Sequence, residues 1–349
     1  MSDLIHDPVL GLYRQVRAVL TQARARAWQA VNSEMVTCYW EVGRLMVEDE
    51  QRGEVRADYG KRIVRDLSAR LTAEFGAGFD KSNLWNMRAF FLAYPKVDAL
   101  RRELTWTHYR LLLRVEKPEA RAFYEAEAVN ARWSTRELER QMSSLLFERL
   151  ALSRDKAGVM ALATKGHEIQ EPADLVKDPY VLEFTGLRQD EHFREKDLET
   201  ALIDKLQRFL LELGKGFAFM ARQQRITLDG RHFYIDLVFY NRLTRSFVLI
   251  DLKMGDLAHQ DLGQMQMYVN YYQRELTGVD ENPPIGIVLC ADKSEAVVRY
   301  TLPEGNQQIF ASRYKLYLPS EEELAAEILR ERDLIALEAQ LKGPEGGGG

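Results

Sequence analysis

The stretch Phe233–Lys253, FYIDLVFYNRLTRSFVLIDLK, decides the fold. Two short apolar runs, rich in β-branched and aromatic residues, flank the polar turn NRLTR and read as paired strands. Side chains alternate faces along a strand, so Asp236 is expected to share a face with Tyr234, Val238 and Tyr240, and Asp251 with Lys253. Their neighbours Ile235, Leu237, Val248, Leu249 and Ile250 are core formers. Three charges thus fall inside core-forming strands, where charge is costly unless paired or bound to a metal. Asp236 and Asp251 on adjacent strands would repel each other without a cation. Lys253 supplies one positive charge and a divalent ion could supply the rest.

Oxygen ligands without Cys or His favour Mg²⁺ or Mn²⁺ over Zn²⁺. Such a set suits phosphodiester hydrolysis, in which a metal activates water and Lys253 positions it, favours its deprotonation or stabilises developing charge. The competing reading is a buried structural salt bridge between Lys253 and one of the two aspartates.

Working outward, RQQRITL and RHFYIDLVFY flank Asp229-Gly230, a strong hairpin-turn signal. Upstream, EKDLETALIDKLQRFLLELG reads as one helix ending at Gly214. Its Glu199 lies one turn before a stripe of Leu202, Leu206, Phe209, Leu210 and Leu213, where it serves as an outer metal contact or simply as an acid favoured by the helix dipole. Downstream, LGQMQMYVNYYQREL reads as a helix with Gln264 and Tyr268 on one face. Gln264 could hold a water or a phosphate, and Tyr268 a nucleic-acid backbone or plain core. The continuous apolar run PIGIVLC reads as a strand buried on both faces. A helix near SEAVVRYTL and a short strand near YKLYL complete an α/β domain, a mixed sheet flanked by helices.

Residues 1–155 read as helix almost throughout. The stretch 9–50 is one long helix or two, and Gly76 and Gly78 stop the next. Asp80 or Ser82 caps a third, Pro118 opens a fourth, and Ser134 with Glu137 forms a capping box opening STRELERQMSSLLFERL. His108 beside Trp106 reads as structural, and His259 is given no role. Residues 156–180, interrupted by Gly158, Gly166, Pro172 and Pro179, read as a connector. A domain at 181–319 follows, then a helix over 320–342 with a capping box at Ser320 and Glu323, then a disordered Gly-rich tail at 343–349.

The chain has 349 residues, 46% hydrophobic and 29% charged, which suits a soluble two-domain protein. Its net charge of −5 would by itself argue against nucleic-acid binding, which usually has a basic footprint. Counting by halves changes the inference. Residues 1–165 hold 27 Lys and Arg against 22 Asp and Glu, whereas residues 166–349 hold 21 against 31. The first half is the better phosphate holder, with Lys61, Arg62 and Arg65 on one helix and Arg132, Arg136 and Arg140 at four-residue spacing on another. An ordinary solvated face paired with acids such as Glu137, Glu139 and Asp66 is the alternative. Two cysteines, Cys38 and Cys290, sit in apolar settings without any CxxC pair and read as buried inert thiols. No leader or ~20-residue apolar span is visible, so a cytoplasmic location is expected.

The order of these elements resembles the PD-(D/E)XK nuclease superfamily: helix with Glu199, strand with Asp236, strand with Asp251-Leu252-Lys253, helix with Gln264-x-x-x-Tyr268. More narrowly the chain resembles the bacterial YhcG-like (DUF1016) proteins, through RADYGKRIVRDLSARL, FGAGFDKSNLWNMRAFF, LTWTHYRLLLRV and WSTRELERQ, and through FYIDLVFYN, DLKMGDL, GQMQMYV and PIGIVLC. The resemblance implies a restriction-endonuclease-like domain and Mg²⁺-dependent (or Mn²⁺-dependent) DNA cleavage. Asp236 and Asp251 would bind metal, with Leu252 adding its carbonyl and Glu199 an accessory acid; Lys253 would be the catalytic lysine and Gln264 an accessory polar group. Tyr268 and the six basic residues named above are the expected DNA contacts. The pattern departs from the family in having Ile235 rather than proline before Asp236, and Asp251 where Glu is frequent. Two other readings stay open: an inactive nuclease-like scaffold serving DNA binding or protein assembly, and RNA as substrate. The amino-terminal helices are expected to bind DNA or to join copies of the chain into a homo-oligomer.

Overall fold

A computed structural model describes residues 8–52, 57–151, 156–188, 193–320, 322–324 and 326. The chain forms two compact units, Met1–Leu138 and Glu139–Gly349. The first is helical: α1 (Pro8–Arg52), α2 (Ala57–Phe75), α3 (Lys81–Ala93), α4 (Trp106–Leu112) and α5 (Pro118–Asn130). α1 is one unbroken helix, exposed from residue 11 to 31 and packed only beyond that, where Val36, Trp40 and Val47 turn inward. Trp40 Nε1 donates to the Tyr94 carbonyl at 2.6 Å, and Met46, Val64, Leu84 and Met87 form a buried cluster. The expected helix signals act as read. Asp80 accepts from the Asn83 amide, Gly76 and Gly78 take positive φ after α2, and Ser134 and Glu137 exchange hydrogen bonds. His108 is structural, closing a capping box with Thr105 and bonding the Trp133 carbonyl at 3.0 Å. Cys38 corrects its expectation. Standing two residues from both Val36 and Trp40, it falls on the opposite side of α1 and is exposed, while Cys290 is buried.

Helix α6 (Thr135–Ser143) spans the position at which the units divide and is followed by Leu145, whose φ is +53°, so STRELERQMSSLLFERL is two helices, with α7 at Leu146–Ala151. α8 (Lys156–Lys165) lies within the expected connector. In the second unit a six-stranded sheet runs in the order β1-β6-β5-β4-β3-β2. The strands are β1 (Tyr180–Val181), β2 (Phe217–Leu228), β3 (Arg231–Asn241), β4 (Ser246–Leu252), β5 (Ile285–Cys290) and β6 (Ile309–Lys315). β2, β3 and β4 form an antiparallel meander, and β4, β5, β6 and β1 run parallel. The strand expected near YKLYL begins earlier, at Ile309, because Ile309 to Arg313 pair with Gly286 to Cys290.

The helices expected around the sheet are α9 (Glu195–Asp204) and α10 (Leu206–Leu213) on one face and α11 (His259–Glu275) on the other, with α12 at Glu295–Thr301. α9 and α10 correct the single expected helix. The break falls at Lys205, whose backbone leaves the helical region at φ −113° and ψ 29°. Leu198, Leu202, Phe209 and Leu213 pack on Val248, Ile250 and Leu252; Leu262, Met265, Tyr268 and Val269 pack on Leu249 and Val288. Beyond β6 the Ser320–Glu323 capping box forms, while most of the expected tail helix and the glycine tail lie outside the described residues.

A buried ionic knot ties the start of this unit to its sheet. Glu212 on α10 is fully buried and meets Arg149 at 2.6 Å, Arg140 at 2.9 Å and the Val181 amide at 2.9 Å, and Lys177 donates to its carbonyl. Burial opposes its charge, but Arg149, Lys177 and Arg140 more than offset this and hold the carboxyl at about 2. Two outcomes are expected. Glu212→Gln leaves Arg149 buried without its carboxylate and lowers stability by about 3–5 kcal/mol in urea unfolding. The folded pKa lies below the unfolded one, so the wild-type advantage is full above about pH 4.5 and fades as pH falls through about 2; a midpoint difference that does not shrink on acidification would contradict the assignment. In the helical unit, Gly43 lies against the Met87 carbonyl, and a methyl there would collide with it. Gly43→Ala is expected to destabilise by about 1–3 kcal/mol, checked by thermal melting.

Candidate active site

The site lies where β3 and β4 separate. Their pairing ends at Leu237↔Ile250, and Asp236 is the first residue of β3 beyond it. The regular alternation expected along β3 breaks here. Leu237 and Phe239 face α9 and α10 while Val238 faces α11, yet Ile235 also packs with the α11 cluster. Asp236 is the residue at which the strand turns over, and its carboxylate takes on backbone work: Oδ2 accepts the Leu252 amide at 2.8 Å. One residue before Leu252, Asp251 is 2% exposed, and its Oδ2 lies 2.9 Å from Lys253 Nζ.

The remaining polar groups converge from three elements. Glu199 on α9 is buried, with Oε1 3.2 Å from Arg222 Nε. Gln223 on β2 donates to Glu199 Oε2 at 2.8 Å and to Asp236 Oδ1 at 2.9 Å, and joins the two acids. From α11, Gln264 bonds Tyr268, whose hydroxyl donates to the Tyr234 carbonyl at 2.8 Å. The structure therefore gathers Glu199, Asp236, Asp251, Leu252 and Lys253, with Gln264 linked to β3 through the Tyr268 hydroxyl.

Electrostatics follow from burial. Desolvation and the neighbouring Asp236 charge push the Asp251 carboxyl up to about 7, against the opposing pull of Lys253. Burial disfavours charge on Lys253 as well, but the Asp251 carboxylate outweighs it and raises the ammonium above its ordinary value. Two buried carboxylate atoms, Glu199 Oε1 and Asp251 Oδ2, face a cation without a hydrogen bond of good angle. Each is paired with a single cation, and a buried, oxygen-only set of acids of this kind suits a hard dication. Among the described residues no three His, Cys, Asp or Glu side chains are closed into a ligating cluster. Gln223 stands between Glu199 and Asp236 instead.

Several expected contacts are placed differently. Tyr268 is fully buried, so its hydroxyl anchors β3 and does not face a nucleic acid. Arg140 is spent on Glu183 and Glu212, with its side chain 13% exposed. Arg132 is not helical but sits at φ +53° in the turn after α5; it and Arg136 are exposed. The three arginines therefore do not form a stripe on one helix, because the first precedes α6 and the last is drawn to buried acids. Arg65 is exposed and paired with Asp66 at 3.1 Å; the side chains of Lys61 and Arg62 lie outside the described residues.

Gln223 and Arg222 went unread in the sequence, though a signal for one was present. The Asp229-Gly230 turn, with φ +46° and +76°, makes a two-residue hairpin. Counting outward from it pair by pair puts Gln223 across from Asp236, between the Gln224↔Ile235 and Arg222↔Leu237 pairs. Gln223 itself has φ +46°, a backbone region that non-glycine residues seldom adopt.

The DUF1016 N-terminal domain family matches residues 15–149, and the YhcG PDDEXK nuclease domain family matches residues 173–329. The Escherichia coli (strain K12) protein named "Putative nuclease YhcG" is 37% identical over 95% of this chain and 94% of its own length. Among solved structures, a repair endonuclease from Pyrococcus abyssi is similar over 37% of this chain and 50% of its own, at 22% identity and TM-score 0.25. An EndoMS–dsDNA complex is similar over 39% and 51%, at 14% identity and TM-score 0.27. With both family matches in order and a full-length relative at this identity, the chain belongs to the YhcG family of PDDEXK nuclease-domain proteins.

Proposed function

We propose that this chain is a Mg²⁺-dependent DNA endonuclease, in which Mn²⁺ can replace Mg²⁺. The observation that carries the reading is the pair Asp236 and Asp251 at the β3–β4 fork, with Lys253 held 2.9 Å from Asp251. Asp236, Asp251 and the Leu252 carbonyl would hold the ion, with Glu199 as an outer contact. When bound, the ion supplies Lewis acidity to a phosphoryl oxygen and lowers the pKa of a water.

The chain's own groups account for the rest. Lys253, held 2.9 Å from Asp251, would place its ammonium as a positive charge beside the reacting phosphate. The Asp236 carboxylate is oriented by the Leu252 amide on one oxygen and the Gln223 amide on the other. Tyr268 fixes the backbone of β3 two residues upstream of Asp236, and Gln264 holds the Tyr268 hydroxyl. In this reading Gln264 positions the strand and does not touch the substrate. Arg65, Arg132 and Arg136, exposed in the first unit, together with Lys61 and Arg62, remain proposed phosphate contacts.

Asp236→Ala, Asp251→Ala and Lys253→Ala should each lower cleavage of plasmid or linear duplex by about a hundredfold or more with the fold retained. Cleavage persisting in all three purified variants would remove the assignment. Mg²⁺ is expected to raise the melting temperature of the wild type and not that of Asp236→Ala. Equal shifts in both proteins would mean that the ion binds elsewhere.

A further inference from the structure

We propose that the outward face of the β2–β3 ribbon is a phosphate-backbone contact surface for double-stranded DNA, which leads a strand to Asp236; this rests on the nuclease reading above. Beyond Leu237 the ribbon has no third strand, since β4 pairs with β3 only from Leu237 to Asn241. An unsupported two-stranded hairpin is marginal in water. This one is held from one side only. Ile226, Phe233 and Ile235 pack with the α11 cluster, and the Tyr268 hydroxyl bonds the Tyr234 carbonyl. Among the described residues the other side is uncovered. Its cross-strand pairs are Thr227↔His232 and Arg225↔Tyr234, all four residues being exposed, and the next position on that face is Gln223 opposite Asp236.

The chemistry of this face is that of a backbone reader. Thr227 and His232 are joined at 2.9 Å, Tyr234 is 47% exposed, and Arg231 stands exposed beside the turn. Arg, Thr and Tyr side chains are common donors to phosphate oxygens. Asp229, in the turn, is the sole acid between Phe217 and Tyr234, against Arg222, Arg225 and Arg231, of which Arg222 is committed to Glu199. The half of the chain that holds the candidate catalytic acids carries 31 acidic against 21 basic residues, so a phosphate strand nearing Asp236 needs local cations. Arg225 stands on this face in line with Asp236, and Arg231, which alternates with Phe233, stands exposed at the turn end of the ribbon. Each pair step on one face advances about 7 Å, close to two base-pair rises of about 3.4 Å, and a two-stranded ribbon has the width a major groove admits.

The test measures duplex binding by fluorescence anisotropy over a salt series, without divalent cation so that no cleavage intervenes. The double variant Arg225→Ala/Arg231→Ala is expected to bind at least about tenfold more weakly at low salt, with the slope of log K against log salt reduced by about 2. Arg208→Ala, on the outer face of α10, is expected to match the wild type in both. Thr227→Lys adds a cation to the same face and should tighten binding and steepen the slope by about 1, which keeps the assignment testable if the double variant folds poorly. Wild-type affinity and slope in both ribbon variants overturn the assignment, as does a wild type that binds no duplex. A wild type that binds through the ribbon yet cleaves nothing with Mg²⁺ or Mn²⁺ overturns the nuclease reading and leaves the ribbon standing.

Discussion

At the end of the β3–β4 ladder, the Asp236 carboxylate accepts the Leu252 amide that a strand carbonyl would otherwise take. Much of the site depends on this exchange. It lets β3 leave β4 without an unpaired buried amide, so the sheet can open at that point. It orients one oxygen of Asp236 and leaves the other to Gln223, and it fixes Leu252 beside Asp251 and Lys253. The fork is then flanked by Glu199 on one face of the sheet and by Tyr268 and Gln264 on the other.

The site stores unfavourable electrostatics within a stable surround. Asp251 is desolvated beside another carboxylate and held by one lysine, an arrangement that gains from an added positive charge. The Glu212 knot is the opposite case. There an equally buried acid meets Arg149, Arg140 and Lys177 and stays ionised well below its ordinary range. One unit thus holds a saturated ionic centre that joins α7, α10 and β1, and an under-compensated one at the proposed reaction centre.

The sequence was informative wherever a local rule sufficed. Capping boxes, glycine stops and the Asp-Gly turn formed as read, because each is satisfied by bonds within a few residues. The order of helix, two strands and helix carrying Glu199, Asp236, Asp251, Lys253 and Gln264 was also legible, as chain order survives folding. Readings that assumed uniform geometry fared worse. Arg132, Arg136 and Arg140 looked like a helical stripe, but a left-handed turn removed the first and buried acids claimed the last. Cys38 looked buried by its neighbours and stands on the outer side of a long helix.

By itself, then, the sequence determined a helical part followed by a mixed-sheet part, the strand and helix order, and the chain order of the candidate carboxylates and lysine, since these follow from periodicity, turn chemistry and spacing; it put the end of the helical part at 155, whereas the packing divides the chain after Leu138. Only the tertiary structure decided how those groups meet. It showed that alternation fails at Asp236, that Gln223 joins Glu199 to Asp236, that Tyr268 is an anchor buried against β3, and that one face of the β2–β3 ribbon is exposed among the described residues. The physical reason is common to all four. Each depends on which element lies across from which, and contacts between distant segments, with the burial they impose, are set when the sheet and its helices pack.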